Sequence, residues 1–265
     1  MARPRYRSRA RYRSWIHQVA AVASLAAVWE IAARSGVAPQ RIFPGPSSIV
    51  SSLISGLVDG TITYHGLQSL RRLAVGLALA LAVGVALGLL LGVVPIARQA
   101  VYPLVKFIYP IPVAALVPVI LVVTGITDAL YVTIVTLGTS IPILIATVDA
   151  VRNLDPILPE TGATLGASQS QLFLRVLIPA ILPRIVHAMY VAFAIGLIVL
   201  ITAEILVSTR GLGNVLVLAQ RQFRVADMYA GVLAIGLIGM ALSSSIRWLG
   251  RMVAGWEAEA FKKEW

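Results

Sequence analysis

Cysteine is absent from all 265 residues of the chain. Disulfides, thiol nucleophiles and cysteine-ligated metals are thereby excluded. Charge is scarce too: Asp, Glu, Lys and Arg make up 12% of the residues, where an average soluble domain carries about 25%. With 58% hydrophobic residues and a mean hydropathy of +0.88, the composition rules out an ordinary soluble globule. Acids are scarcer than bases, 11 against 22, leaving a net charge of +11. Such an excess calls for an anionic neighbour. The low total charge favours a membrane over nucleic acid, whose binders spread Lys and Arg across a polar surface. Lysine occurs only at Lys106, Lys262 and Lys263, never after glycine. The Gly-Lys-Ser/Thr of a phosphate-binding loop is therefore missing, and ATP has no such site here. A His-Glu-x-x-His zinc motif and a Gly-x-Ser-x-Gly elbow are missing as well, and His17, His65 and His187 are far apart in sequence.

What the chain does have is long windows without ionised side chains, each a candidate span because a charge at mid-bilayer costs several kcal/mol. Between Arg13 and Glu30 lie 16 such residues, between Arg72 and Arg98 25, and between Lys106 and Asp128 21. Three more follow: 20 between Asp128 and Asp149, 19 between Arg184 and Glu204, and 19 between Asp227 and Arg247. The expectation is an all-α membrane protein with six transmembrane helices. A seventh window, 42–58, holds Pro44, Gly45, Pro46 and several serines, and reads as a loop followed by a short amphipathic helix at the membrane surface.

With the N-terminus inside, 15 Lys and Arg fall on the inner side and 7 on the outer. The positive-inside rule thus favours both termini inside, although 6 of the 15 sit in the N-terminal tail. That tail, residues 1–13, alternates Arg with Tyr, Ser and Pro and reads as disordered against anionic headgroups. The following apolar segment carries Trp29 and Glu30 and reads as an uncleaved first span rather than a secretory signal.

Within the spans, Gly76, Gly84, Gly88 and Gly92 share one helical face, where a neighbouring helix can come close. The third window places Pro103, Pro110, Pro112 and Pro118 within 16 residues, so it must bend or break. It lies beside a translocation path or is simply a structural kink. Glu30, Asp128, Asp149 and Glu204 all sit near span ends, which does not suit a proton relay.

Between the fourth and fifth windows, Asp155-Pro156 signals a helix start, Gly166 interrupts a helical pattern, and Val176, Ile178 and Pro179 lead into the next span. The prediction is helix, tight turn, helix. An exposed elbow between two spans is a place where a partner can push.

Here the sequence resembles the membrane subunits of type I ATP-binding-cassette importers. Their coupling loop reads Glu-Ala-Ala, three residues, Gly, nine residues, Ile, any residue, Leu-Pro. In this chain Glu160 stands six before Gly166, Val176 ten after it, and Ile178-Pro179 at twelve and thirteen after it. The spacing is kept while Glu160-Thr161-Gly162 replaces Glu-Ala-Ala, and Gly162 weakens the first short helix. The resemblance runs from about Ile42 to Arg251 and is strongest to the branch serving nitrate, alkanesulfonates, taurine and related oxyanions. The segments that carry it are Phe43-Pro44-Gly45-Pro46, Ser69-Leu70-Arg71-Arg72, Tyr109-Pro110-Ile111-Pro112, Leu165-Gly166-Ala167-Ser168, and Gly211-Leu212-Gly213 after Ala203-Glu204-Ile205.

The resemblance implies a transmembrane permease subunit of the bacterial inner membrane, acting as a homodimer with two cytoplasmic ATPase subunits and an extracytoplasmic substrate-binding protein. ATP and Mg would belong to the partner subunit, and this chain would bind no cofactor, metal or nucleic acid. Membrane lipid completes the partners. Residues 1–13 and 251–265 would be cytoplasmic tails, 14–64 the first span with its external loop and interfacial helix, and 65–250 the transporter domain with its coupling loop at 150–180. Glu160, Thr161, Gly162, Ala163, Leu165, Gly166 and Ala167 would dock on the ATPase, moving the spans between inward and outward openings. Candidate path residues are Pro110, Pro112, Thr136, Thr139, Ser140 and Glu204, the last with Arg210 as a gate pair. Arg71, Arg72 and Arg210, with Arg221 and Arg224, border external loops, where guanidinium groups would attract and grip an anion or else dock the binding protein. An ion-coupled secondary transporter or a channel without an ATPase is the rival.

Overall fold

The computed structural model describes residues 6–36, 39, 42–207 and 209–253. Among them every regular element is a helix. A backbone in hydrocarbon must satisfy its own polar groups, and a helix does so within one segment.

Helix α1 (Tyr6–Arg34) starts before the expected Ser14. Residues 6–13 contain no glycine or proline, and Arg, Ala and Tyr sustain a helix. The disorder expected for the basic tail therefore does not hold over that stretch, while residues 1–5 lie outside the described residues. Helix α2 (Pro46–Val58) is followed by α3 (Thr61–Val93) and α4 (Pro95–Ile108). A 3-10 turn (Val113–Leu116) leads into α5 (Val117–Thr124), then come α6 (Asp128–Arg152), α7 (Ile157–Thr164) and α8 (Gln169–Gln171). A π-helical stretch (Leu172–Leu177) joins α8 to α9 (Ile178–Val207), and α10 (Leu212–Arg221) and α11 (Val225–Val253) complete the series.

Four helices are long and apolar enough to cross a bilayer: α3, α6, the continuous run Gln169–Val207, and Val225–Met252 within α11. Helix α4 and the segment Val113–Thr124 make a further pair bent by 85°. Pro110 and Pro112 fall in that break, as the proline-dense window predicts. The apolar run of helix α1 is interrupted by the polar His17, Gln18, Glu30 and Arg34, although the helix itself is continuous.

The chain divides into two compact units, Met1–Thr63 with Val215–Ala234, and Tyr64–Asn214 with Ile235–Trp265. In the first, α2 is the short amphipathic helix expected, with Ile49 and Leu53 buried and Val50, Ile54 and Leu57 exposed. Pro46 suits its first turn, where a missing N–H costs nothing. Gly45 offers no capping side chain, and Glu30 supplies the acceptor instead. Its carboxylate receives the Ser47 N–H at 3.0 Å and hydroxyl at 2.7 Å, together with Arg34 Nε at 2.6 Å. A Cβ at Gly45 would stand 2.8 Å from Glu30 Oε2, so the glycine between the two prolines makes room for that carboxylate. At the start of α3, Asp59 accepts the Thr61 N–H at 2.8 Å, and this bond holds its carboxyl below the usual carboxylate range.

In the second unit the glycine face of α3 meets α6. A Cβ at Gly76 would stand 2.7 Å from Val135 Cβ, one at Gly84 2.8 Å from the Ser140 carbonyl, one at Gly88 2.5 Å from Thr147 Cβ and one at Gly92 2.8 Å from Val151 Cβ. The partner of all four glycines is thus one helix, packed at backbone distance. Leu73 of α3, Leu130, Tyr131, Ile134 and Val135 of α6, and Phe193, Leu200 and Ala203 of α9 form the principal core.

Candidate functional site

The predicted elbow is present between α6 and α9. Asp155 Oδ1 accepts the Ile157 N–H at 3.0 Å, which opens α7 as the Asp-Pro pair predicts. The helix closes at Gly166, whose φ of +83 is a left-handed conformation that favours glycine. There Ala167 N–H donates to the Gly162 carbonyl at 3.0 Å and Gly166 N–H to the Ala163 carbonyl at 3.0 Å. These two bonds are the Schellman motif, which satisfies carbonyls left open at a helix end. Two residues later a capping box opens the next helix: Ser168 N–H donates to Gln171 Oε1 at 2.8 Å, and Gln171 N–H to Ser168 Oγ at 3.3 Å. Stop and start signals back to back fix the turn.

Glu160, Thr161, Ala163, Leu165 and Gly166 are exposed, Leu165 at 81%. Gly162 is where the family's second alanine would stand, and the structure gives it a reason. A Cβ there would lie 2.6 Å from Leu172 Cδ2, so the glycine lets α7 rest on the π-helical stretch behind it. Pro179, which has no N–H for the carbonyl of Arg175, is the second residue after that stretch.

A buried polar cluster lies at the other end of α6 and α9. Glu204 is 0% exposed and accepts the Ser69 hydroxyl at 2.8 Å, Arg72 Nη1 at 2.9 Å and the Gly213 N–H at 3.0 Å. Arg72, 5% exposed, also donates Nε to Asp128 at 2.8 Å and Nη1 to the Arg210 carbonyl at 2.8 Å. Its guanidinium lies 3.9 Å from the centroid of the Tyr131 ring. Ser69 Oγ accepts the Leu212 N–H at 2.9 Å, and His65 Nδ1 accepts the Gly211 N–H at 3.0 Å. The carboxylate of Glu204 thus sits at the N-terminus of α10, where exposed amides and the helix dipole favour a negative charge. Gly211, at φ +112, and Gly213 carry no side chain where Glu204 fills the space.

This arrangement corrects three expectations. Arg72 is not an open anion-attracting group, because two carboxylates and a carbonyl take up its guanidinium. Glu204 does not line a path, and its cationic partner is Arg72, with Arg210 contributing its backbone carbonyl to the cluster. Arg71 and Arg210 are exposed, and Arg224 pairs with Asp227 at 3.1 Å. Ser69, His65 and Asp128 as cluster members were missed. The signal was present in that Ser69 and Arg72 are one helical turn apart.

At the bend, a cavity of about 410 Å3 is lined by Pro110 and Pro112 from the break, Leu137, Gly138 and Pro142 from α6, and Val199 from α9, among others. Thr136, Thr139 and Ser140 are not in its lining. Their hydroxyls donate to the preceding turn of α6, at Val132, Val135 and Leu137, the ordinary use of Ser and Thr inside a span, and that of Thr136 also reaches the Gly76 carbonyl of α3 at 3.2 Å.

Residues 76–256 match the family model described as the binding-protein-dependent transport system inner membrane component. The taurine transport system permease protein TauC of Escherichia coli (strain K12) is 26% identical over 91% of this chain and 90% of its own length. The putative aliphatic sulfonates transport permease protein SsuC of the same organism is 31% identical over 91% of both chains. Among solved structures, the MetNI methionine ABC transporter in an inward facing conformation matches with a TM-score of 0.60 and 19% identity, over 71% of this chain and 93% of that one, a likeness of fold. The elbow, the broken span and these matches agree: the chain belongs to the binding-protein-dependent transport system inner membrane component family, as a multi-pass permease component of an ATP-binding-cassette importer.

Proposed function

We propose that two copies of this chain form the translocation path for a small anionic solute of the taurine and alkanesulfonate class, handed over by an external binding protein. Two cytoplasmic ATPase subunits hold the ATP and Mg, and this chain binds no cofactor. The chain crosses the inner membrane six times with both termini inside, α1 and the bent pair each counting as one crossing. The carrying observation is the exposed α7 elbow, fixed by Gly166 and Ser168 and continuous with α6 and α9. Glu160, Thr161, Gly162, Ala163, Leu165, Gly166 and Ala167 seat in a groove of the ATPase, and closure of the ATPase pair on ATP shifts both helices together. Pro110 and Pro112 at the bend lie beside the path. The solute class rests on the relatives named for taurine and aliphatic sulfonates and on the exposed Arg71 and Arg210 near the buried cluster.

The test is reconstitution of the chain with its cassette subunits and binding protein in liposomes. ATP hydrolysis that requires both partners, together with ATP-dependent uptake of taurine or an alkanesulfonate, is expected. Uptake driven by a proton gradient in the chain alone would make it an ion-coupled carrier, and uptake with no energy source would make it a channel.

A further inference from the structure

Between α9 and α11, toward the end of both helices where the elbow lies, is a cavity of about 480 Å3 that takes no part in the roles above. Val186, His187 and Tyr190 line it from α9, and Arg247, Gly250 and Arg251 from α11. Gly250 brings the helices together at its floor, since a Cβ there would stand 2.8 Å from Val186 Cγ1. Arg247 and Arg251 are one turn apart and share a face. Arg247 donates to the Tyr190 hydroxyl at 3.3 Å and to the Ser244 hydroxyl at 3.0 Å, with its guanidinium 5.7 Å from the Tyr190 ring centroid. Among the described residues no carboxylate pairs with Arg247 or Arg251. Two guanidinium groups with no acid paired to them among the described residues, beside an imidazole and a phenol, suit a phosphate group that accepts paired hydrogen bonds.

The surroundings point to the source of that phosphate. Trp248 and Met252 are exposed beside the basic pair, as is usual where a helix leaves the hydrocarbon. Farther along the same helices Val191, Ile198, Leu237 and Met240 are exposed, an apolar surface that a free inorganic anion would not use.

We propose that this cavity holds the phosphate headgroup of an anionic phospholipid from the leaflet at the elbow end, with its acyl chains laid along the exposed apolar residues of α9 and α11. The proposal rests on the reading that these helices span the membrane with the elbow end at an anionic leaflet. The full chain, delipidated in detergent, is titrated with phosphatidylglycerol or phosphatidylcholine and the bound lipids are counted by native mass spectrometry. One phosphatidylglycerol per chain is expected to outlast phosphatidylcholine. Arg247→Gln with Arg251→Gln should weaken it about thirtyfold, two lost charges acting together, while Arg247→Lys with Arg251→Lys keeps most of it. Equal retention of both lipids, or equal phosphatidylglycerol binding by the Gln variant, overturns the proposal. Displacement by millimolar inorganic phosphate also overturns it and assigns the cavity to a free anion. Lipid counting needs no ATPase, so failure here leaves the importer reading intact, and failed ATP-driven uptake leaves the lipid counts unchanged.

Discussion

A carboxylate with no exposed surface must have its charge met on every side, and Glu204 is met by a hydroxyl and a guanidinium from α3 and by a backbone amide from the start of α10. Removing one member strands the rest. Arg72→Met should destabilise the protein by about 3–5 kcal/mol, because Glu204 is left buried and unpaired. Glu204→Gln should cost less than Arg72→Met, and the double variant should cost less than the sum. Thermal unfolding in detergent measures all three, and strict additivity would show that the pair does not couple. Arg71, next in sequence but exposed, separates stability from transport. Arg71→Gln should leave the melting temperature unchanged and raise the KM for an anionic solute severalfold; unchanged uptake kinetics would remove it from any role in attracting the solute. Both Arg72 and Glu204 stand out in the sequence as rare ionisable groups at span ends. Their pairing does not, since 132 residues separate them and helical periodicity cannot say which face of one helix meets which face of another.

At the scale of elements, the α3 glycines were legible as a packing face, whereas the identity of α6 as the helix they meet was not. Gly88→Leu pushes a branched side chain into Thr147 and the Leu144 carbonyl, and overpacking of this kind costs about 1–3 kcal/mol. Gly236→Ala is the control, because nothing lies within 4 Å of a Cβ there. If the two variants melt alike, the contact between α3 and α6 is not what the glycines serve. The helix start at Asp155 and the stop at Gly166 were legible, because both act through their own local hydrogen bonds and need no tertiary context, whereas the capping box at Ser168 was equally local but not read. The bend was legible for the same reason, through its prolines. Gly162 could not be understood that way, since its explanation is Leu172 on the next element. Gly166→Val forces a β-branched residue into a left-handed conformation. The strain should cost about 1–2 kcal/mol, and the folded variant should no longer support ATP hydrolysis by the assembled importer, while hydrolysis by the free ATPase remains.

At the scale of the molecule, a chain without cysteine makes sidedness easy to measure. Ser170→Cys beside the elbow introduces the only thiol, and a membrane-impermeant maleimide should label it only in inverted vesicles. Labelling in intact cells would turn the topology over. The polar cluster and the elbow share two helices: α6 begins at Asp128 and ends at Arg152 just before the elbow, while α9 begins just after it and carries Glu204 near its far end. At 1.5 Å per residue, 25 residues of α6 set these places roughly 37 Å apart. Coupling between two binding sites is a property of the pair and has no preferred direction. If a partner seated on α7 alters how readily the Arg72 cluster holds, then a partner that loosens or tightens that cluster alters the affinity at α7 by the same factor. On the proposed reading, a loaded binding protein at one face and an ATPase at the other would then sense each other through a single free energy, measurable from either end.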